Sequence, residues 1–226
     1  MKYKSYDFIL SVVTVFFTLS LATTVAADIT RMYTLDYMEP ENSDARDFSK
    51  GNFGGSFEYE FHFVGIPDPI SWAAGFDYID MLSEETTYYE ESGLRIVQET
   101  DQEYYRFWFG PRIRSHANAF FRPYIGLHGA LIYNMIETDV VVPDDYDPDN
   151  EIRQILSSDG ELLFGYDVST GLEIKVAKDW SIDLGMKRLK TFGEPRQLSY
   201  GAVTVHPSYN LYFIGVRYGI AEETDE

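Results

Sequence analysis

From Gly51 to Val64 the chain reads GNFGGSFEYEFHFV, with aromatics at Phe53, Phe57, Tyr59, Phe61 and Phe63 and polar residues at Ser56, Glu58, Glu60 and His62. Strand side chains point alternately to two faces, so this strict period of two describes a strand with one apolar and one polar face. The pattern returns along the chain and predicts eight strands, at about 29–38, 51–64, 70–82, 103–114, 120–134, 162–176, 180–190 and 209–220. In the third, Ile70, Trp72, Ala74, Phe76 and Tyr78 alternate with Ser71, Ala73, Gly75 and Asp77. In the seventh, Trp180, Ile182, Leu184 and Met186 alternate with Ser181, Asp183, Gly185 and Lys187. Trp108 in the fourth strand and Leu211 and Phe213 in the eighth break the rule, and the pattern is faintest in the first, around Tyr33 and Leu35.

A tilted strand needs roughly 9–11 residues to cross a bilayer, and these segments are that long or somewhat longer. The connections alternate between long (39–50, 83–102, 135–161, 191–208) and short (65–69, 115–119, 177–179). Short turns at one rim and long loops at the other are the plan of a transmembrane barrel. The expected fold is therefore all-β: a single antiparallel up-and-down transmembrane barrel of eight strands, with short periplasmic turns and long extracellular loops.

The N-terminus carries Lys2 and Lys4, an apolar run from Phe8 to Ala22, and Val25-Ala26-Ala27 before Asp28. That order of charge, apolar run and small residues is a secretory signal, and the run of 15 residues falls short of the roughly 20 of a spanning helix. The expected organisation is a signal peptide at 1–27, a barrel at 28–220 and an acidic tail at 221–226. Removing the signal leaves 16 basic against 36 acidic residues, a net charge of −20. Such a surface repels nucleic acid and anionic lipid. The chain has no cysteine, which excludes disulfides and thiolate metal sites.

Three stretches carry a family resemblance: Phe121-Arg122-Pro123-Tyr124-Ile125-Gly126-Leu127-His128-Gly129-Ala130; Ser169-Thr170-Gly171-Leu172-Glu173-Ile174 with Trp180-Ser181-Ile182-Asp183-Leu184-Gly185; and Tyr212-Phe213-Ile214-Gly215-Val216-Arg217-Tyr218. Together they resemble the small eight-stranded outer-membrane barrels of the OmpA/OmpX type, over the mature chain to about Gly219. The resemblance implies outer-membrane lipid, lipopolysaccharide and the barrel insertion machinery as partners, and roles in envelope structure or adhesion or, in a few members, lipid modification. Family members often end on an aromatic residue of the last strand, whereas here Tyr218 is followed by Gly219, Ile220 and the acidic tail. A family that shares a barrel does not share a site, so no activity follows from the likeness alone.

The polar faces carry Glu58, Glu60, His62, Asp77, Arg106, Arg112, Arg122, Glu173, Lys175, Asp183, Lys187 and Arg217. An eight-stranded barrel is only wide enough for side chains to fill it, and buried charges must pair. These residues are expected to form an interior salt-bridge network that plugs the barrel and leaves no large pore. Trp72, Trp180, Tyr105, Tyr124 and Tyr218 lie near strand ends as candidates for interfacial girdles, although the parity of Tyr124 points inward.

The long loops are acidic: eight acids stand against Arg153 between Glu137 and Asp159, and seven against Arg95 between Ser83 and Glu103. Asp145, Asp147, Asp149 and Glu151 alternate as the first ligands of a calcium loop do, but the glycine at position six and the glutamate at position twelve are missing. No cofactor is expected beyond calcium or magnesium held weakly at these loops, where it would bridge to lipopolysaccharide. For catalysis, Ser169 and Asp167 share the polar face of one strand, and His62, His116, His128 and His206 are the only histidines. The chain is read as a monomeric, non-enzymatic outer-membrane protein with a structural or surface-interaction role. Two rivals stay open: a soluble periplasmic barrel of the lipocalin kind holding an apolar ligand, and a lipid-A hydrolase or acyltransferase. A soluble barrel would show the same alternation with its faces exchanged.

Overall fold

A computed structural model describes residues 29–46, 50–62, 69–89, 95–115, 119–143, 151–198 and 201–219. The elements are β1 (Ile29–Pro40), α1 (Ser43–Arg46), β2 (Asn52–Phe61), β3 (Ile70–Tyr89), β4 (Arg95–Arg114), β5 (Phe121–Pro143), β6 (Glu151–Lys175), β7 (Trp180–Thr191), β8 (Glu194–Leu198), β9 (Gly201–Val205) and β10 (Ser208–Gly219). Eight strands close a barrel in the order β1-β10-β7-β6-β5-β4-β3-β2, and β8 and β9 form a separate two-stranded sheet. Every neighbouring pair is antiparallel, and β1 closes on β10 from Thr30↔Gly219 to Pro40↔Tyr209.

The faces are oriented as a lipid-immersed barrel requires. Leu35, Phe53, Leu127, Phe164, Leu184 and Ile214 are exposed on the outside, while Arg106, Arg112, Lys187, Glu173 and Asp183 are buried within. This is the reverse of a soluble ligand-carrying barrel, whose charges would face water. No helix among the described residues is long and apolar enough to cross a membrane.

Outside, aromatic rings pack across strands: Trp72 on Phe109 at 5.0 Å, Tyr78 on Tyr105 at 5.2 Å and Trp180 on Tyr218 at 4.8 Å. Trp72, Tyr105, Trp180 and Tyr218 therefore take the outward positions that their parity predicts. Tyr124 follows its inward parity and is no girdle residue: it is buried inside, and its hydroxyl donates to Asp183 at 2.7 Å. Trp108, Leu211 and Phe213, the residues that break the alternation, are also interior. Glycines make room for such rings, since a Cβ at Gly75 would collide with the Trp108 ring and one at Gly171 with that of Tyr124.

Two of the expected long loops are largely strand. β3 pairs with β4 up to Tyr89↔Arg95, β4 with β5 up to Val97↔Val141, and β5 with β6 up to Pro143↔Glu151. Segments 83–102 and 135–161 thus extend the barrel strands into a four-stranded ribbon. Both faces of the ribbon lie beyond the bilayer, so no apolar–polar alternation marks it in the sequence; the β-formers Thr86, Thr87, Val97, Thr138, Val140 and Val141 carry the ladder instead. The 191–208 connection contains the β8–β9 hairpin, which follows Gly193, a residue in a left-handed conformation at φ 125°. The 39–50 connection contains α1, whose Ala45 is buried at the barrel mouth.

Lipid-facing and ribbon positions should respond differently to charge. Leu184→Arg, on the outer face of β7, is expected to destabilise the folded protein in vesicles by about 2–4 kcal/mol in urea unfolding, as midplane cations do in such barrels. Ile155→Arg, on the ribbon, should change stability by no more than about 0.5 kcal/mol.

Candidate functional site

Two regions concentrate polar chemistry: the barrel interior and the ribbon. The interior is built in three tiers. In the tier nearest the short turns, four carboxylates (Glu58, Glu60, Glu173, Asp183) meet four arginines (Arg112, Arg114, Arg122, Arg217). Arg112 donates to Glu58 and, at 2.9 Å, to Glu60, while Arg217 donates to Glu60 at 2.6 Å and Asp183 at 2.8 Å. Arg114 pairs with Glu60 and, at 3.0 Å, with Glu173, which also takes Arg122. Ser71 and Ser181 donate to Glu60 and Glu173 at 2.6 and 2.5 Å. The Arg112 guanidinium also lies 4.5 Å from the Tyr124 ring centre.

The middle tier is smaller, with Arg106 and Lys187 set against Asp77 and Asp167 and a third carboxylate, Asp36, beside them. Asp77 accepts from Arg106 Nε at 2.5 Å, Trp108 Nε1 at 3.0 Å and Lys187 Nζ at 3.3 Å. Arg106 Nη1 reaches Asp167 at 3.2 Å. Lys187 sits 4.3 Å from the Trp108 ring centre, so an aromatic face supports the cation that Asp77 pairs. Asp36, also buried, accepts from Thr34 at 2.6 Å. The top tier is mainly apolar: Met38, Ile79, Met81, Ile132, Leu163, Leu189 and Leu211 lie beneath Ala45, with a buried pair in which Gln102 donates to Asn134 at 2.9 Å among them.

Most residues expected inside are there. Glu58, Glu60, Asp77, Arg106, Arg112, Glu173, Asp183, Lys187 and Arg217 are buried in the two charged tiers, and Arg122 lies at their lower edge, partly exposed. His62 and Lys175 are only half-buried, His62 one residue past the end of β2 and Lys175 at the last residue of β6. Asp36, Arg114, Tyr124 and Asp167 join the network without having been assigned to it. Parity placed Arg114 and Asp167 inward, but the faint pattern of β1 concealed Asp36. Asp145, Asp147 and Asp149 lie outside the described residues, as do His116, the signal segment and the tail; Glu151 opens β6. Among the described residues no group of three or more metal-ligating side chains comes together.

Ser169 and Asp167 on β6 and His128, which the sequence leaves on another strand, are neighbours in space. His128 faces Asp167 across β5 and β6, and Gly126 faces Ser169. Asp167 accepts from His128 Nδ1 at 2.8 Å. A Cβ on Gly126 would stand 2.5 Å from Ser169 Oγ and 2.8 Å from His128 Nε2, so these two atoms converge on one point. The order of acid, imidazole and hydroxyl is that of a hydrolase triad, but all three side chains are sealed in the barrel and Ser169 Oγ makes no hydrogen bond. Arg106 also donates to Asp167 at 3.2 Å, and the Trp108 ring lies 4.5 Å from that of His128.

Several of the ribbon's acids stand on the face that continues the lipid-facing surface. Asp80 lies opposite Glu103, Asp101 opposite Glu137, and Glu99 opposite Asp139. Arg153 alone bridges them, pairing with Glu99 and, at 3.2 Å, with Asp139. Tyr105 and Tyr78 donate to Glu103 at 2.7 and 3.4 Å and tie the base of the ribbon to the aromatic rim. The ribbon's outer strand is open: β6 pairs with β7 only from Gly165↔Thr191 onward, so the opposite edge of residues 151–164 has no strand beside it among the described residues.

No protein-family model and no curated protein matches this sequence. Solved structures do match in fold. Neisserial surface protein A is similar at a TM-score of 0.52 and 12% identity, over 84% of this chain and 96% of that one. A major outer membrane protein from Thermus thermophilus is similar at 0.51 and 9% identity, over 85% and 99%. The fold is thus that of the small eight-stranded outer-membrane barrels.

The middle tier makes a testable energetic claim. Arg106→Met strands Asp77 and Asp167 in a sealed interior and should cost about 3–5 kcal/mol in urea unfolding. Ser169→Ala removes only an unbonded hydroxyl and should change stability by less than about 1 kcal/mol.

Proposed function

We infer that this chain is an outer-membrane protein with a surface-interaction role, in which the plugged barrel anchors an acidic ribbon and the ribbon offers its β6 edge to an extended basic segment of another protein. The observation that carries this reading is the free edge of β6 above Gly165. An exposed strand edge presents unpaired N–H and C=O groups, and a partner that adds a strand satisfies them through its own main chain. Asp159 and Glu161 along this edge favour a basic partner, and exposed Ile152 and Leu156 supply apolar contact. A register shift near Leu156 bends the strand there and blunts indiscriminate edge-to-edge pairing.

Transport and catalysis are less well supported. The two charged tiers and the apolar tier fill the barrel lumen, and the Ser169, His128 and Asp167 cluster is buried. Export by the segment at 1–27 and residence in an outer membrane accord with the apolar exterior.

Two measurements test the reading. The mature protein should partition into detergent and run faster unheated than heated on a gel; a freely soluble protein would overturn the membrane assignment. A lysine-rich extended peptide should slow amide exchange within residues 152–162, while an acidic peptide of equal length should not. Unchanged exchange with both would remove the edge as a binding surface.

A further inference from the structure

The buried charges of the lumen do not cancel. The lower tier sets four carboxylates against four arginines, whereas the middle tier has only Arg106 and Lys187 for Asp77, Asp167 and Asp36. Arg106 pairs with Asp77 and, at 3.2 Å, with Asp167, and Lys187 lies 3.3 Å from Asp77. Asp36 is left over. It is 1% exposed, and among the described residues no cation pairs with it. Its Oδ2 is buried and meets no hydrogen-bond donor of the protein. A carboxylate taken out of water without a counter-charge is strongly unfavourable, so the interior is one positive charge short.

Asp36 lies among oxygen ligands. Thr34 Oγ1 donates to its Oδ1 at 2.6 Å, and the Thr34 and Ser56 hydroxyls are in hydrogen-bond contact with each other. Strand pairing fixes this set, since Thr34 stands opposite Ser56 across β1 and β2, and Ser56 opposite Asp77 across β2 and β3. The charges that act on Asp36 are those of Asp77 and Lys187, which are opposite in sign and already paired with each other. One carboxylate and two hydroxyls are too few for a calcium ion, which takes about six to eight oxygens. They suit a single hard monovalent charge. His128 is the other place where that charge could reside, with Nδ1 2.8 Å from Asp167. Asp167 already accepts from Arg106, however, and His128 Nε2 meets no acceptor, so an imidazolium would bury an unpaired N–H.

We propose that the middle tier binds one exchangeable monovalent cation at Asp36, an alkali-metal ion or a proton, with the hydroxyl oxygens of Thr34 and Ser56 as its further partners. Binding restores neutrality to the lumen and ties β1 to β2 in the register row that continues to Asp77 and Arg106. The site lies inside the barrel and is independent of the ribbon edge, whether or not that edge binds a peptide.

Two readouts on the mature protein in phosphatidylcholine vesicles test the site and separate the two cations. In urea unfolding at constant ionic strength, with choline exchanged for sodium, a sodium site should raise the folding equilibrium constant by up to about tenfold for each tenfold rise in sodium. In infrared spectra at neutral pH, a bound proton should instead give the C=O stretch of a neutral carboxylic acid, with no dependence on sodium. Asp36→Asn removes the charge to be compensated and should abolish whichever signal the wild type shows. Ser56→Ala keeps the carboxylate and should weaken the sodium response or shift the stretch, which keeps the test decisive if Asp36→Asn does not fold. Ser169→Ala, which removes a lumen hydroxyl remote from Asp36 in register, should leave both readouts unchanged. Either signal, lost or altered in this pattern, supports the proposal. Neither signal in the wild type, a signal that the Asp36 and Ser56 substitutions leave unchanged, or imidazolium nitrogen resonances from His128 in nitrogen-labelled protein overturns it.

Discussion

Backbone groups at membrane depth have no water to bond, so each N–H and C=O there must find its partner within the chain. The antiparallel seam between β1 and β10, running from Thr30↔Gly219 to Pro40↔Tyr209, meets that requirement by leaving the membrane-spanning sheet without an edge. The other features follow from this closure. Eight strands enclose a lumen too narrow for anything but side chains, which must then be either apolar or mutually satisfied. The chain uses both solutions, stacked along the barrel axis.

The charged tiers show why neutrality in a sealed lumen is local. Four carboxylates and four arginines share the lower tier, and Asp77 and Asp167 are matched by Arg106 and Lys187 above it. Removing any one member strands its partners in a low-dielectric space, although the intact set need not be more stable than an apolar filling. The apolar upper tier, with Met38, Met81 and Leu211, separates this network from the extracellular mouth. Buried side chains thus occupy the interior along its length.

The outer surfaces differ in sign around the rim. The ribbon holds acids opposite acids, an arrangement unfavourable to the sheet itself and relieved in part by Arg153. Across the barrel, Arg46, Arg188 and Lys190 stand above an apolar stripe.

Period-two patterning was sufficient to make the number of strands, their transmembrane character and most of the interior legible, because burial on one face and lipid on the other impose the alternation residue by residue. Glu58, Glu60, Arg112 and Arg217 could be placed inside by parity alone. Patterning could not reveal the ribbon, whose buried face holds Asp139 beside Val97 and Val141 and so carries no apolar–polar alternation, nor how the rings of Trp108 and Phe213 fit on the polar face, for which glycines on neighbouring strands clear space. It also left His128 remote from Asp167 and Ser169. Only the register of β5 against β6 brings them together, since pairing across strands depends on turn geometry and strand stagger, which no single strand's sequence contains.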